Sequence, residues 1–244
     1  MLIDYDVLSR DYDLTRDINV DTLKRILSKA DIDENSFVLD FGCGTGNYAC
    51  AVKKLTGARV FGVDPSEGMI EKARGKGAEI EFKKGCHASV PYDGAFFDLI
   101  YMTDVIHHVP DLDLMFAEFF RILKPGGRVC ILTESHGQIE SRFWSAYFPA
   151  TVKPEKERYP DIPVIISSAG RNGFTVDENI STDCEQSFTV SPEFVKLVEN
   201  KGYSMFRLIS GGDFENGLKR LKDDCASKTP IRSNHGETLL WLKK

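Results

Sequence analysis

Apolar positions along this chain recur with two different periods, and the switches between them mark its elements. Val20, Leu23, Leu27 and Ala30 fall at helical spacing behind Asn19, a side chain suited to start a helix. Two short apolar runs follow, Phe37–Asp40 and Arg59–Asp64, each closed by an acid. Between them Asn47–Leu55 reads as a helix, with Tyr48, Val52 and Leu55 on one face and Gly57 at its end. Glu79–Lys83 and Phe97–Met102 are the third and fourth strands. Asp111 then caps a helix whose buried face is Leu112, Met115, Phe119 and Ile122, and Lys124-Pro125-Gly126-Gly127 stops it. Val129–Thr133 is a fifth strand. Strands alternating with helices in this way predict an α/β chain built on a parallel sheet.

The rhythm changes over 137–180. Phe143, Trp144, Tyr147 and Phe148 cluster, four prolines interrupt the next stretch, and Gly170 and Gly173 end a helix from Ile162. Thr182–Val190 alternates loosely and reads as strand six. Ser191-Pro192-Glu193 opens a helix with Phe194, Leu197 and Val198 inward, and Asp213–Cys225 forms another through Phe214, Leu218 and Leu221. Glu237–Leu242 is the closing strand.

Composition narrows the function classes. The chain has 244 residues, 42% of them hydrophobic, enough for one sizeable α/β domain or such a domain with a cap. No apolar run approaches the ~20 residues that span a bilayer, so no membrane partner is expected. The first residues, Met1 to Asp6, carry acids where a signal peptide needs positive charge, which predicts a cytoplasmic protein. Six cysteines occur without a C-x-x-C pair or spaced histidines, so no metal is expected and the thiols are expected to be reduced. A net charge of −6 with scattered basic residues argues against nucleic acid and favours a small-molecule partner. Composition is silent on oligomeric state.

The most informative stretch is Val38-Leu39-Asp40-Phe41-Gly42-Cys43-Gly44-Thr45-Gly46-Asn47-Tyr48. An apolar strand ends in an acid, three glycines follow at alternate positions, and a helix opens at once. Glycine admits positive φ and close ligand approach, and the helix start supplies unpaired N–H groups. A dinucleotide fingerprint spaces its glycines G-x-G-x-x-G and sets pyrophosphate on the helix N-terminus. Here the spacing is G-x-G-x-G, and Asp40 would repel pyrophosphate but suit a cation.

This motif resembles the first motif of the class I S-adenosylmethionine-dependent methyltransferases. The turn Arg121-Ile122-Leu123-Lys124-Pro125-Gly126-Gly127 into strand five is similar to theirs as well. The resemblance implies a doubly wound, mostly parallel seven-stranded Rossmann-like sheet with an antiparallel C-terminal strand and a helical cap insert. It implies one domain over 1–244, with an N-terminal helical segment at 1–36 and the cap at 137–180. S-adenosylmethionine is the implied cofactor, and a small molecule is the implied methyl acceptor.

Carried over residue by residue, the resemblance places the cofactor's methionine part over Asp40, Gly42, Cys43, Gly44, Asn47 and Tyr48. Tyr12 and Arg16, beside Asp13, look similar to an N-terminal segment that folds over the cofactor. Asp64 resembles the ribose-binding acid, followed by Pro65, Ser66 and Met69, the last packing on adenine. The family usually shows Gly-Asp-Ala after strand three. This chain has Gly85-Cys86-His87-Ala88, with Cys86 where the adenine-binding acid is expected. Cysteine is a weak acceptor, so adenine recognition would lean on backbone groups, His87 or Ser89. Thr103, Asp104 and His107 lie past strand four, where ligands bind in open parallel sheets. His107 and His136 are candidates for a base that takes a proton from the acceptor. The competing readings are a cofactor-binding module without catalysis and a nicotinamide-dependent oxidoreductase. A metalloid acceptor held by Cys184 and Cys225 is a minor variant.

Overall fold

A computed structural model describes residues 18–228 and 230–244. Its elements, in chain order, are α1 (Val20–Ala30), β1 (Phe37–Phe41), α2 (Asn47–Thr56), β2 (Arg59–Asp64), α3 (Glu67–Lys76) and β3 (Glu81–Lys84). β4 (Phe97–Thr103), α4 (Leu112–Ile122) and β5 (Leu123–Thr133) follow, then α5 (His136–Ser141), α6 (Phe143–Tyr147) and α7 (Val152–Arg158). The chain ends with α8 (Ile162–Arg171), β6 (Thr175–Ser181), β7 (Cys184–Thr189), α9 (Pro192–Glu199), α10 (Gly211–Ser227), β8 (Pro230–His235) and β9 (Thr238–Lys243).

Seven strands form one sheet in the order β3-β2-β1-β4-β5-β9-β6, mostly parallel with an antiparallel strand. β1 is parallel to both β2 and β4, with Asp40 opposite Gly62 on one side and Tyr101 on the other. The chain therefore leaves β1 toward one edge and returns at β4 on the other side. That reversal opens a crevice beyond the carboxyl ends of β1 and β4, where ligands of open α/β sheets bind. Tyr12 and Arg16, expected to fold over that crevice, lie outside the described residues.

Two compact units make up the chain. The first contains 18–133, 163–180 and 239–244; the second contains 134–162 and 181–238. In the first, one face of the sheet packs Val38, Leu99, Tyr101, Cys130 and Trp241 against Leu23 and Ile26 of α1 and Ala49 and Val52 of α2. α1 starts as its sequence predicts, with Asn19 Oδ1 accepting from the N–H groups of Asp21 and Thr22 at 3.1 Å each. The second unit is organised around Phe148, Val198, Phe206, Phe214 and Leu221, with Phe143 and Trp144 packed partly buried against them.

Four expectations change. Leu55 is 61% exposed, because each three-residue step turns about 60° back round the helix and carries it about 120° from Ala49. Val20, on the first turn of α1, is also largely exposed. The sixth strand of the large sheet is Thr175–Ser181, not 182–190. Cys184–Thr189 instead pairs antiparallel with β8 in a separate two-stranded sheet, Thr189 opposite Pro230. β6 is a polar edge strand, exposed at most positions, so it lacks the apolar alternation that reveals a half-buried strand. α8 and β6, within the stretch read as the cap, group with the sheet unit.

Candidate active site

The glycine turn connects β1 to α2 through three left-handed residues: Gly42 (φ 75°), Gly44 (φ 52°) and Gly46 (φ 80°). A side chain is excluded at Gly42 on two counts. L-residues resist that φ, and a Cβ would sit 2.5 Å from Val105 Cγ2. The turn is tied to the neighbouring strand, since Val63 O accepts from Gly42 N at 2.7 Å and from Cys43 N at 3.0 Å. Gly46 caps α2 without a side chain, which leaves the helix's first N–H groups near the turn.

Asp64 closes β2 and holds the turn from the side. Its Oδ2 accepts from Gly44 N at 2.9 Å and its Oδ1 from Ser66 N at 2.9 Å. Ser66 then caps α3, accepting from Met69 N at 3.2 Å. Pro65 is exposed, whereas Met69 is completely buried. Next to this corner, Gly85 N donates to Asp64 O, and Cys86-His87-Ala88-Ser89 makes a tight turn closed by backbone bonds between Cys86 and Ser89. Cys86 and Ala88 are exposed and His87 is half-buried.

A pocket opens at the carboxyl ends of β1 and β4, lined by Asp40, Gly42, Cys43, Gly44, Thr45, Asn47, Tyr48, Thr103 and Asp104, with Ile18 at its side. Eight of these ten (all but Ile18 and Thr45) stand among the cofactor residues read from the sequence. Asn47 Oδ1 accepts from Lys76 Nζ at 2.7 Å, and the Tyr48 hydroxyl accepts from Asn19 N at 3.1 Å. Asp104 sits in the left-handed region at φ 57°, a conformation aspartate tolerates better than most residues.

Asp40 is the electrostatic centre of this pocket. Its side chain is 2% exposed, and Oδ2 accepts no hydrogen bond among the described residues. Burial pushes its pKa up to about 7; the Tyr101 hydroxyl and Ala49 N–H pull it down, and the Asp64 carboxylate raises it. Burial also raises the Cys43 thiol well above its usual range, and the two carboxylates add to that, so it stays protonated and unreactive.

The two candidate bases differ in setting. His107 is half-buried in the 3-10 turn Ile106–His108, with its ring 3.9 Å from that of His108. His136 starts α5 in the second unit, where Nε2 lies 2.8 Å from Tyr159 O and Nδ1 lies 3.9 Å from Asp161. Nearby in the same unit, Arg142 is buried between Glu134 and Glu155, donating to both. Sequence reasoning passed over Tyr101 because a tyrosine inside an apolar strand looks like core. Its register opposite Asp40 is the signal that identifies it.

Residues 39–131 match the family model described as a methyltransferase domain. That match runs from β1, through the glycine turn, into β5. It is 34% identical over 214 residues to phosphoethanolamine N-methyltransferase 1 of Arabidopsis thaliana, covering 85% of this chain and 43% of that one. It is 33% identical over 135 residues to the demethylmenaquinone methyltransferase of Lactobacillus johnsonii, covering 51% and 55%. The chain thus spans about half, or less, of the length of these curated relatives. Among solved structures, a candidate methyltransferase of an antibiotic biosynthesis pathway from Anabaena variabilis shares the fold, with a TM-score of 0.72 at 19% identity over 93% of this chain and 98% of that one. No helix among the described residues is long and apolar enough to cross a membrane.

Proposed function

We propose that this chain transfers a methyl group from S-adenosylmethionine to a small-molecule acceptor. The observation that carries the reading is Asp40, a buried carboxylate with an unmet oxygen, lining the same pocket as a turn that admits no Cβ at Gly42. Such a group calls for a cationic ligand, because burying an unpaired charge is costly and an opposite charge relieves it. Pyrophosphate would worsen it, which disfavours the nicotinamide reading. The residues present therefore fit the sulfonium cofactor.

Asp40, Gly42, Cys43, Gly44, Asn47 and Tyr48 would hold its amino-acid part, with Thr103 and Asp104 lining the same pocket. Asp64 would accept from the ribose hydroxyls, its carboxylate fixed beside the turn by Gly44 N and Ser66 N. Pro65, Ser66, Met69, Cys86, His87 and Ala88 form the corner proposed for the adenine, and Tyr12 and Arg16 are proposed to complete the site. The bound cofactor supplies a methyl group already activated on a positively charged sulfur. What remains for the protein is to align the acceptor, exclude water and receive a proton where the acceptor carries one. His107 is the favoured base. His136 has Nε2 engaged by a carbonyl oxygen, which leaves Nδ1, beside Asp161, as its one nitrogen for that task.

The named relatives act on phosphoethanolamine and demethylmenaquinone, so acceptors of both chemistries, a small amine and an apolar ring, are the first to try. The test is calorimetry with S-adenosylmethionine followed by transfer of labelled methyl to nitrogen, carbon, oxygen and sulfur acceptors. Saturable binding with turnover on one class supports the proposal. Binding of NAD in preference to S-adenosylmethionine would overturn it. A cytoplasmic location is proposed from the composition.

A further inference from the structure

Asp40 and Tyr101 are direct partners in the parallel register of β1 and β4, so their side chains leave the same face of the sheet side by side. Both are buried, at 2% and 0% exposure. Neither Asp40 Oδ2 nor the Tyr101 hydroxyl has a partner in good hydrogen-bond geometry among the described residues, yet the two are close enough that the phenol lowers the carboxyl's pKa. One is a group that only accepts when ionised, and the other is a donor. Buried polar groups are rarely left unmet, and two adjacent unmet groups of opposite kind have an evident remedy in each other. At the same level of the sheet, Gly62 on β2 has no side chain and Cys130 on β5 is a buried thiol.

We propose that Tyr101 is a positioning residue for the cofactor site, its hydroxyl donating to Asp40 so that the carboxylate stays charged and turned toward a bound cation. The inference rests on the reading of this pocket as the S-adenosylmethionine site. The other groups facing the pair are Asp64 from β2, Cys43 from the glycine turn, and Tyr48 and the Ala49 N–H from α2. Burial and Asp64 oppose the charge on Asp40, while Tyr101 and Ala49 favour it. Burial raises the phenol far above its usual range, so Tyr101 remains a donor at any working pH. A hydrogen bond to a charged group is worth enough to move a carboxyl by about one pH unit. Tyr101→Phe keeps the ring and removes the donor.

Calorimetric affinity for S-adenosylmethionine is measured from pH 5.5 to 8.5 in the wild type, Tyr101→Phe and Asp40→Asn. The ligand's own amino group titrates alike in all three, so differences between the curves are read. In Tyr101→Phe the pH at which binding weakens rises by about one unit, which makes it about fivefold weaker than wild type at pH 7 and within about twofold at pH 8.5. Asp40→Asn loses that pH dependence. An equal loss at every pH would mark Tyr101 as merely structural, and an unmoved midpoint would remove the proposed bond; either overturns the inference.

A ligand-free cycle separates this from the cofactor reading. Melting temperatures of the wild type, both single variants and the double variant are compared at pH 5 and pH 8. Coupling between Tyr101 and Asp40 that grows at pH 8 is expected even if the pocket takes another ligand. Additive effects at both pH values overturn the inference.

Discussion

Asp40→Asn should stabilise the ligand-free protein, and by more as the pH rises. The carboxyl's pKa is about 7 in the folded state against a model value of 3.8, with burial the largest cause. A folded-state pKa raised in this way means that the folded protein holds a proton the unfolded chain has already released. Below pH 3.8 both states carry it and there is no penalty. Between 3.8 and 7 the penalty grows with pH, and above 7 it is complete at about 4 kcal/mol. The same linkage gives about 2 kcal/mol at pH 5, so the gain from asparagine should widen by about 2–3 kcal/mol between pH 5 and pH 8. For a chain of this size that corresponds to about 5–10 °C in melting temperature. Differential scanning calorimetry at the two pH values reads the widening directly, and the pH 5 value absorbs any change that does not depend on charge. A gain of equal size at both, or a loss that deepens with pH, would refute the reasoning. The same variant should bind S-adenosylmethionine more weakly at pH 8, so stability and binding move in opposite directions.

Other perturbations test other parts. Gly42→Ala should destabilise by about 2–4 kcal/mol, combining left-handed strain with the 2.5 Å approach to Val105, and Val105→Ala should restore part of it in a denaturant melt. Asp64→Ala strips the acceptor from Gly44 N and Ser66 N; cofactor affinity should fall at least about tenfold by calorimetry, and no change would remove Asp64 from the site. Glu134→Ala leaves the Arg142 guanidinium buried with one carboxylate fewer, and chemical denaturation should show a loss of about 3 kcal/mol.

How much of this was legible depended on whether the signal was local. Asp40, the three glycines and the start of α2 lie within a dozen residues, and the physics of a strand-to-helix turn is written in that spacing. Asp64 was legible for the same reason, as an acid closing a short apolar run. β6 was hidden because an edge strand owes its place to backbone pairing, and Thr175–Ser181 is polar and exposed at most positions. Leu55 misled because it shares a face with Tyr48 and Val52, whereas the buried line of α2 runs through Ala49 and Val52 and leaves Leu55 about 120° from Ala49. Tyr101 was invisible in one dimension. Its meaning comes from the register that sets β4 beside β1, a long-range fact that no window of sequence contains.

The same register explains why the acid of this site is costly to folding. β1 lies between β2 and β4 and is almost wholly buried, so an acid there loses water on every side. Replacing it by an apolar residue would strengthen the core, yet the residue at position 40 is an acid with an unmet oxygen. A ligand that binds the ionised form returns stability as RT ln(1 + [L]/Kd), about 2.7 kcal/mol at a hundred times its dissociation constant. That return is comparable with the penalty worked out above, so the free protein and the loaded one need not differ greatly in stability. A buried acid, a turn held in the left-handed region at three glycines and a phenol beside the acid are each a poor choice for folding alone. Together they are consistent with one purpose, the capture of a cation at the end of β1.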